Sequence, residues 1–210
     1  MGIPVLVLGE SGSGKSTSLR NFEYGEIGIF NVASKPLPFR KKLAKADGAT
    51  YQKIMSTLAK PSMKAYAIDD SQYLMAFESF DKVDETGYQK FTSMALNFYS
   101  LVQFVIRQTP PDVIVYFLQH TEKTDDGRTK AKTLGKMLDN QLTLEGLFSI
   151  VLLCKTDGTR HYFETQSDGA TTTKSPLEMF EREIDNDLKA VDTAIREYWE
   201  LSPINIKEER

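Results

Sequence analysis

One octapeptide, Gly9-Glu10-Ser11-Gly12-Ser13-Gly14-Lys15-Ser16, limits the folds open to this chain more than any other stretch. Its spacing of glycines, lysine and hydroxyl is that of a phosphate-binding loop, which works only between a buried strand and the start of a helix. The flanks comply. Residues 3–8 (Ile-Pro-Val-Leu-Val-Leu) read as a short buried strand, and the residues after Ser16, through Leu19 and Phe22, read as the first turns of a helix. In that setting Gly9, Gly12 and Gly14 permit backbone angles and close approaches that a Cβ would block. Backbone N–H groups then face an anion and the helix dipole favours it. Lys15 reaches the β- and γ-phosphates, the Ser16 hydroxyl ligates Mg²⁺, and Thr17 lies near the α-phosphate. The predicted nucleotide-binding residues are Gly9, Glu10, Ser11, Gly12, Ser13, Gly14, Lys15, Ser16 and Thr17, and the expected ligand is a nucleoside triphosphate.

The rest of the chain supplies the sheet such a loop needs. Residues 26–32 read as a second strand, and Lys35-Pro36-Leu37-Pro38-Phe39 as a loop that cannot continue a central strand. Residues 51–58 have helical spacing and precede Pro61, and residues 65–68 form a third short strand running into Asp69-Asp70. Over residues 88–107, Phe91, Ala95, Phe98, Leu101, Val102, Val105 and Ile106 recur every three or four positions, which predicts a long amphipathic helix stopped by Thr109-Pro110-Pro111. Strands follow at residues 113–118 and 148–154, with 160–165 as an antiparallel hairpin partner across Lys155-Thr156-Asp157-Gly158. Residues 176–201 carry Leu177, Phe180, Ile184, Leu188, Val191, Ile195 and Trp199 on one helical face, with Ser175 as N-cap and Glu178 completing a capping box. Strands alternating with helices predict an α/β fold, a mostly parallel sheet flanked by helices with a C-terminal edge hairpin and a long C-terminal helix. The nucleotide-binding domain is expected over residues 1–175, and a terminal helix and tail over 176–210.

Magnesium bound at the loop needs a carboxylate at the end of another strand. Ala65-Tyr66-Ala67-Ile68-Asp69-Asp70 provides one, so Asp69 is expected at the metal with Ser16, and Asp70 at the attacking water. Gln119-His120 ends the fourth strand, where a polar side chain can sense the γ-phosphate. Lys174, beyond the hairpin, is a candidate for reaching a neighbouring subunit's nucleotide. The predicted catalytic set is Lys15, Asp69, Asp70, Gln119, His120 and Lys174.

Composition narrows the class by exclusion. No apolar run approaches the ~20 residues of a membrane span, and the first residues lack the pattern of a signal peptide, so a cytoplasmic protein is expected. With one cysteine and two separated histidines, a structural zinc site is not expected. The net charge is −3, but unevenly spread: residues 178–210 hold ten acids and five bases. Basic clusters stand at Lys35, Arg40, Lys41, Lys42 and Lys45 and at Lys123, Arg128, Lys130, Lys132 and Lys136. Each suits phosphate or simply a solvated face.

The order of these parts resembles the compact RecA-like P-loop ATPases, or nucleotide-binding proteins, of phage replication and recombination modules: loop, strand ending Asp69-Asp70-Ser71, strand ending Gln119-His120-Thr121-Glu122, basic loop, hairpin and Thr173-Lys174-Ser175-Pro176. The resemblance covers about residues 1–180. It implies a RecA-like core, ATP and Mg²⁺, assembly into homo-oligomers and single-stranded DNA as partner. The DNA contacts would be Lys123, Arg128, Lys130, Lys132 and Lys136, in the polar stretch 122–140. Lys15 and Ser16 match the family's loop pair, Asp69 its metal-side acid, and Lys174 lies near its terminal basic motif. Asn31-Val32-Ala33-Ser34 stands where RecA-type proteins carry a catalytic glutamate, which implies slow hydrolysis. An ATP-switched adaptor or helicase loader docking a replication or recombination protein is the alternative. A small-molecule kinase is disfavoured, because residues 122–140 hold Arg128 as their sole arginine.

Overall fold

β1 (Ile3–Gly9) is buried from Pro4 onward and has parallel neighbours on both sides. Such a strand must be apolar on both faces, as its sequence is. Around it the computed structural model, which describes residues 1–85, 87–134 and 143–204, places the following elements. They are β2 (Ile27–Asn31), β3 (Ala44–Asp47), α1 (Tyr51–Leu58), β4 (Ala65–Asp69), α2 (Tyr73–Asp81), α3 (Tyr88–Gln108), β5 (Ile114–Lys123), β6 (Thr129–Ala131), β7 (Ile150–Thr156), β8 (His161–Glu164), β9 (Glu183–Asp185) and α4 (Leu188–Tyr198). The nine strands form one mixed sheet in the order β3-β2-β4-β5-β1-β7-β8-β9, with β6 paired to β5 alone. Strands β3 through β7 of that order run parallel, and β6, β8 and β9 pair antiparallel. The expected α/β class and mostly parallel sheet are what the chain adopts.

Alternation along the strands divides the core between the two faces. Leu6, Leu8, Val115 and Phe117 pack with Ile54 and Leu58 of α1, Leu74 and Met75 of α2, and Phe98, Leu101 and Val102 of α3. Val5, Val7, Tyr116 and Leu118 pack with Leu19, Phe22 and, from α4, Leu188, Val191 and Ile195. Each fully buried side chain of this size contributes about 1.5–3 kcal/mol. In α3 the expected stripe is buried from Ala95 to Val105, whereas Phe91 near its start is 43% exposed. The helix stops at Thr109, which takes the extended conformation that a following proline imposes.

Four expectations are corrected. The helix after the loop is a six-residue 3-10 segment, Ser16–Asn21, closed when Phe22 turns extended. The terminal helix spans Leu188–Tyr198 rather than 176–201, and its N-cap is Asp187, which accepts from the N–H groups of Lys189 and Ala190. Ahead of it Glu178 has φ +63, outside the helical region, and β9 pairs with β8 instead, because the edge of β8 needs a partner for its backbone groups. Ser175, expected to cap that helix, accepts a 2.7 Å hydrogen bond from Gln166 Nε2. β5 runs on through Lys123 and pairs with β6, so part of the basic stretch is a hairpin, and β3, β6 and α2 were not foreseen. The segment from residue 176 thus shares the sheet and core with the rest.

A buried network ties α4 to the sheet. Arg196, 5% exposed, pairs with Asp192 and donates to the carbonyls of Lys64 and Asp112 just before β4 and β5, at 2.8 and 2.9 Å. Asp192 also accepts from the Tyr116 hydroxyl at 2.9 Å. No helix among the described residues is long and apolar enough to cross a membrane.

Candidate functional site

β1 and β4 end side by side at either edge of β5, which runs on past them, and the loop that follows β1 lies at this end of the sheet. Gly12 and Gly14 have φ of +79 and +102, while Lys15 is right-handed at φ −49, ψ −62. Left-handed glycines beside a right-handed residue are the kind of alternation that can turn backbone N–H groups toward an anion without a long helix behind it. A Cβ on Gly9 would crowd Ser13 Oγ and come within 3.0 Å of the Cys154 carbonyl oxygen, so the loop's first turn favours glycine.

Lys15 is 6% exposed and donates to the carbonyls of Gly9 (2.8 Å) and Glu10 (2.9 Å). Burial pulls its pKa below the usual lysine value, and the Asp70 charge opposes that shift. Ser16 Oγ donates to Asp69 Oδ1 at 2.8 Å, joining residues 53 positions apart. Burial raises the Asp69 carboxyl, while the Ser16 hydrogen bond favours its ionised form. Next to it Asp70 has φ +59, a left-handed conformation that strains a non-glycine residue by about 1–3 kcal/mol. Its Oδ2 meets Lys35 Nζ at 2.7 Å and its Oδ1 meets His120 Nε2 at 3.3 Å. Burial pushes Asp70 up, but the hydrogen bonds from His120 and Lys35 outweigh it and hold the carboxyl at about 2. Gly12, Gly14, Lys15, Ser16, Thr17, Lys35, Asp69, Asp70 and His120 line one cleft of about 240 Å³, with Pro36 and Pro38 at its rim.

The cleft therefore gathers Ser11, Gly12, Gly14 to Thr17, Asp69, Asp70 and His120, Gly9 and Glu10 adjoin it through the carbonyls that accept from Lys15, and Gln119, Lys174 and the basic hairpin residues lie apart from it. Gln119 is fully buried and points elsewhere: its Oε1 accepts from Ser71 Oγ (3.1 Å) and its Nε2 donates to the Lys132 carbonyl (2.7 Å). Lys174 bridges Val151 through its backbone, and Val151 lies three positions along β7 from Cys154, which pairs with Gly9 at the loop. No contact brings it to this cleft among the described residues. Lys123, Arg128, Lys130 and Lys132 lie on or beside the β5–β6 hairpin, where Lys130 pairs with Glu122 (3.1 Å) and Arg128 with Asp126 (3.2 Å). Lys136 lies outside the described residues.

Two residues that belong to the site escape sequence reasoning. Lys35 stood in a basic cluster with no assigned role, yet it pairs with Asp70 and covers the Tyr73 ring 5.0 Å from its centroid. His161, on the hairpin, donates from Nδ1 to the Ser13 carbonyl at 2.7 Å, and its ring lies where a Cβ on Gly14 would come within 3.0 Å. Cys154 donates to the same carbonyl at 2.9 Å, and burial pushes its thiol up to about 11, so it stays protonated. Neither contact has a local signal, because 148 residues separate His161 from Ser13 and 141 separate Cys154 from it.

The Asp70 pair gives a pH dependence. Its carboxyl is held below its ordinary 3.8, so the stabilisation is complete above that value and is lost as pH falls through about 2. Lys35 is more than half exposed, so the pair is worth about 0.5–1 kcal/mol. Lys35→Met is therefore expected to lower the urea midpoint at pH 6 but not at pH 2. Equal losses at both pH values would show that the pair contributes nothing.

Compared with known protein families and with curated proteins, the chain matches none.

Proposed function

We propose that this chain is a Mg²⁺-dependent ATP-binding protein with a RecA-like P-loop core, and that it hydrolyses ATP. The observation that carries the reading is the Ser16–Asp69 hydrogen bond, which brings the lysine-bearing loop and the acid-ended strand to one point of the cleft. The strand order supports it, since β5 lies between β1 and β4 and delivers His120 beside Asp70. The phosphates would lie in the cradle of residues 11–17, with Lys15 turning its ammonium from two carbonyls to phosphate oxygens.

The donors suit magnesium. Ser16 Oγ and the Asp69 carboxylate are hard oxygens, and among the described residues no group of three His, Cys, Asp or Glu side chains is placed to hold a metal alone. The ion would arrive with phosphate and water as further ligands, and bound there it neutralises phosphate charge. Asp70, kept ionised by Lys35 and His120, accepts a hydrogen bond from the attacking water and orients it. With a pKa of about 2 it is a weak proton acceptor at pH 7, which fits slow unstimulated turnover.

Single-stranded DNA is the proposed stimulant, within the phage replication or recombination role that the resemblance implies. β5 leads from His120 at the cleft directly to Lys123 on the hairpin, so an anion held there bears on the strand that passes beside Asp70. Assembly of several copies is part of the same reading, with Lys174 of one copy offered to the next.

The test is ATP hydrolysis with and without Mg²⁺ and single-stranded DNA, at rising salt. Hydrolysis that needs Mg²⁺ and is stimulated by DNA, with the stimulation fading as salt rises, is expected. Turnover indifferent to DNA would remove the DNA role alone. Failure to bind ATP in calorimetry would overturn the whole reading.

A further inference from the structure

The segment that leaves β2 is built to hold one side chain in place. Asn31, the last residue of β2, is 2% exposed, and its amide grips both polar groups of the Lys35 backbone. Nδ2 donates to the Lys35 carbonyl at 2.7 Å, and Oδ1 accepts from the Lys35 N–H at 3.3 Å. Directly before Lys35, Ser34 takes φ +56, a left-handed conformation that strains a residue bearing a Cβ. Asn31 pairs with Asp69 across the β2–β4 ladder, so the two strands release their chains at one level. Asp70, next along the second chain, is left-handed too, and it meets Lys35 at 2.7 Å. Strained residues of this kind persist where their surroundings fix them, and they gather at ligand sites.

The clamp carries Lys35 to the phosphate cleft from the far side. β2 stands three places from β1 in the sheet, with β4 and β5 between, so Lys35 reaches the cleft opposite the loop that carries Lys15. An ammonium has three N–H donors. Asp70 takes one, and no other described residue accepts a hydrogen bond from it. The side chain is 58% exposed and lines the cleft, which leaves its other donors to a ligand. A pair that served only to neutralise Asp70 would not need a buried amide behind it, because a flexible lysine stem finds a carboxylate from many backbone positions.

On the nucleotide reading, Asp70 holds the water that attacks the terminal phosphorus. A cation bonded to Asp70 then stands beside the terminal phosphate and away from those nearer the ribose. Resting on that reading, we propose that Lys35 is the residue by which this chain distinguishes a nucleoside triphosphate from a diphosphate. Its ammonium donates to a terminal-phosphate oxygen while keeping its hydrogen bond to Asp70, and Asn31 is its positioning residue. Lys15 also meets the β-phosphate, which both nucleotides carry, so the two lysines have separable effects.

Calorimetry on the full chain with Mg²⁺ tests this, using ADP and the β,γ-imido analogue of ATP, which is not turned over. Lys35→Met is expected to weaken the triphosphate analogue by about tenfold or more, the effect of one hydrogen bond to a charged group, and ADP by less than about threefold. Lys35→Arg should stay close to the parent for both, because a side chain this exposed has room for a longer cation. Lys42→Met removes an exposed lysine of the same basic cluster that does not line the cleft, and should change neither affinity. Lys35 is exposed and its loss costs the fold little, so each variant can be compared in the folded state. Equal weakening of both nucleotides by Lys35→Met, no weakening of either, or an arginine variant as weak as the methionine one would overturn the proposal and leave nucleotide binding standing. Failure of the unaltered chain to bind either nucleotide is a separate result, which would overturn the proposal together with the reading beneath it.

Discussion

Lys15→Ala is expected, on the proposed ATPase reading, to lower ATP hydrolysis by about 10²–10³-fold, the loss that follows when one preorganised charge-stabilising donor is removed. The ammonium is 6% exposed and already desolvated, so its attraction for phosphate is not shared with solvent. Fold stability should change far less. Losing the hydrogen bonds to the Gly9 and Glu10 carbonyls costs about 1 kcal/mol each, offset because a buried charge goes with them. Lys15→Arg is not a remedy, since a planar fork cannot take the place of a point charge inside a loop this tight. Turnover by the alanine variant within a factor of three of the parent, at equal melting temperature, would remove Lys15 from the chemistry.

Asp192→Ala is expected to destabilise the fold by about 3–5 kcal/mol, the largest stability loss among the changes considered for this chain. The substitution strands two groups at once. Arg196 keeps its charge in the core with only carbonyls for company, and the fully buried Tyr116 hydroxyl loses its acceptor. Arg196 holds α4 against the residues leading into β4 and β5, so damage here reaches the strands that carry Asp69 and His120. Urea unfolding at pH 7 measures the effect. Replacing the pair together, as Asp192→Leu with Arg196→Met, should recover most of the loss, because a matched apolar pair leaves no orphan charge. A single-substitution cost below 1 kcal/mol would mean that the pair is solvated and not structural.

The sequence was most legible where one element satisfies its own needs. β1, β4 and β7 are continuous apolar runs and α3 is a sustained stripe, so their positions follow from pattern alone. The same reasoning overran at the C-terminus. Leu177, Phe180 and Ile184 keep helical spacing with Leu188, yet Glu183-Ile184-Asp185 also alternates as a strand does, and the choice was made by the open edge of β8, which no local window contains. The site divides in the same way. Loop and acid-ended strand are motifs, whereas Lys35 and His161 act through contacts with distant residues, and Gln119 was lost to the cleft because Ser71 and Lys132 satisfy its amide.

The outer strands of the sheet have a further consequence. β3 turns Lys45 and Asp47 outward and β9 turns Glu183 and Asp185 outward, each beside unpaired backbone. A foreign strand adding to either margin must strip water from charges, which is how many sheets avoid templating fibres. That cost is local to each margin, since it is the hydration of individual side chains and not the long-range field of a net charge of −3 that a newcomer must overcome.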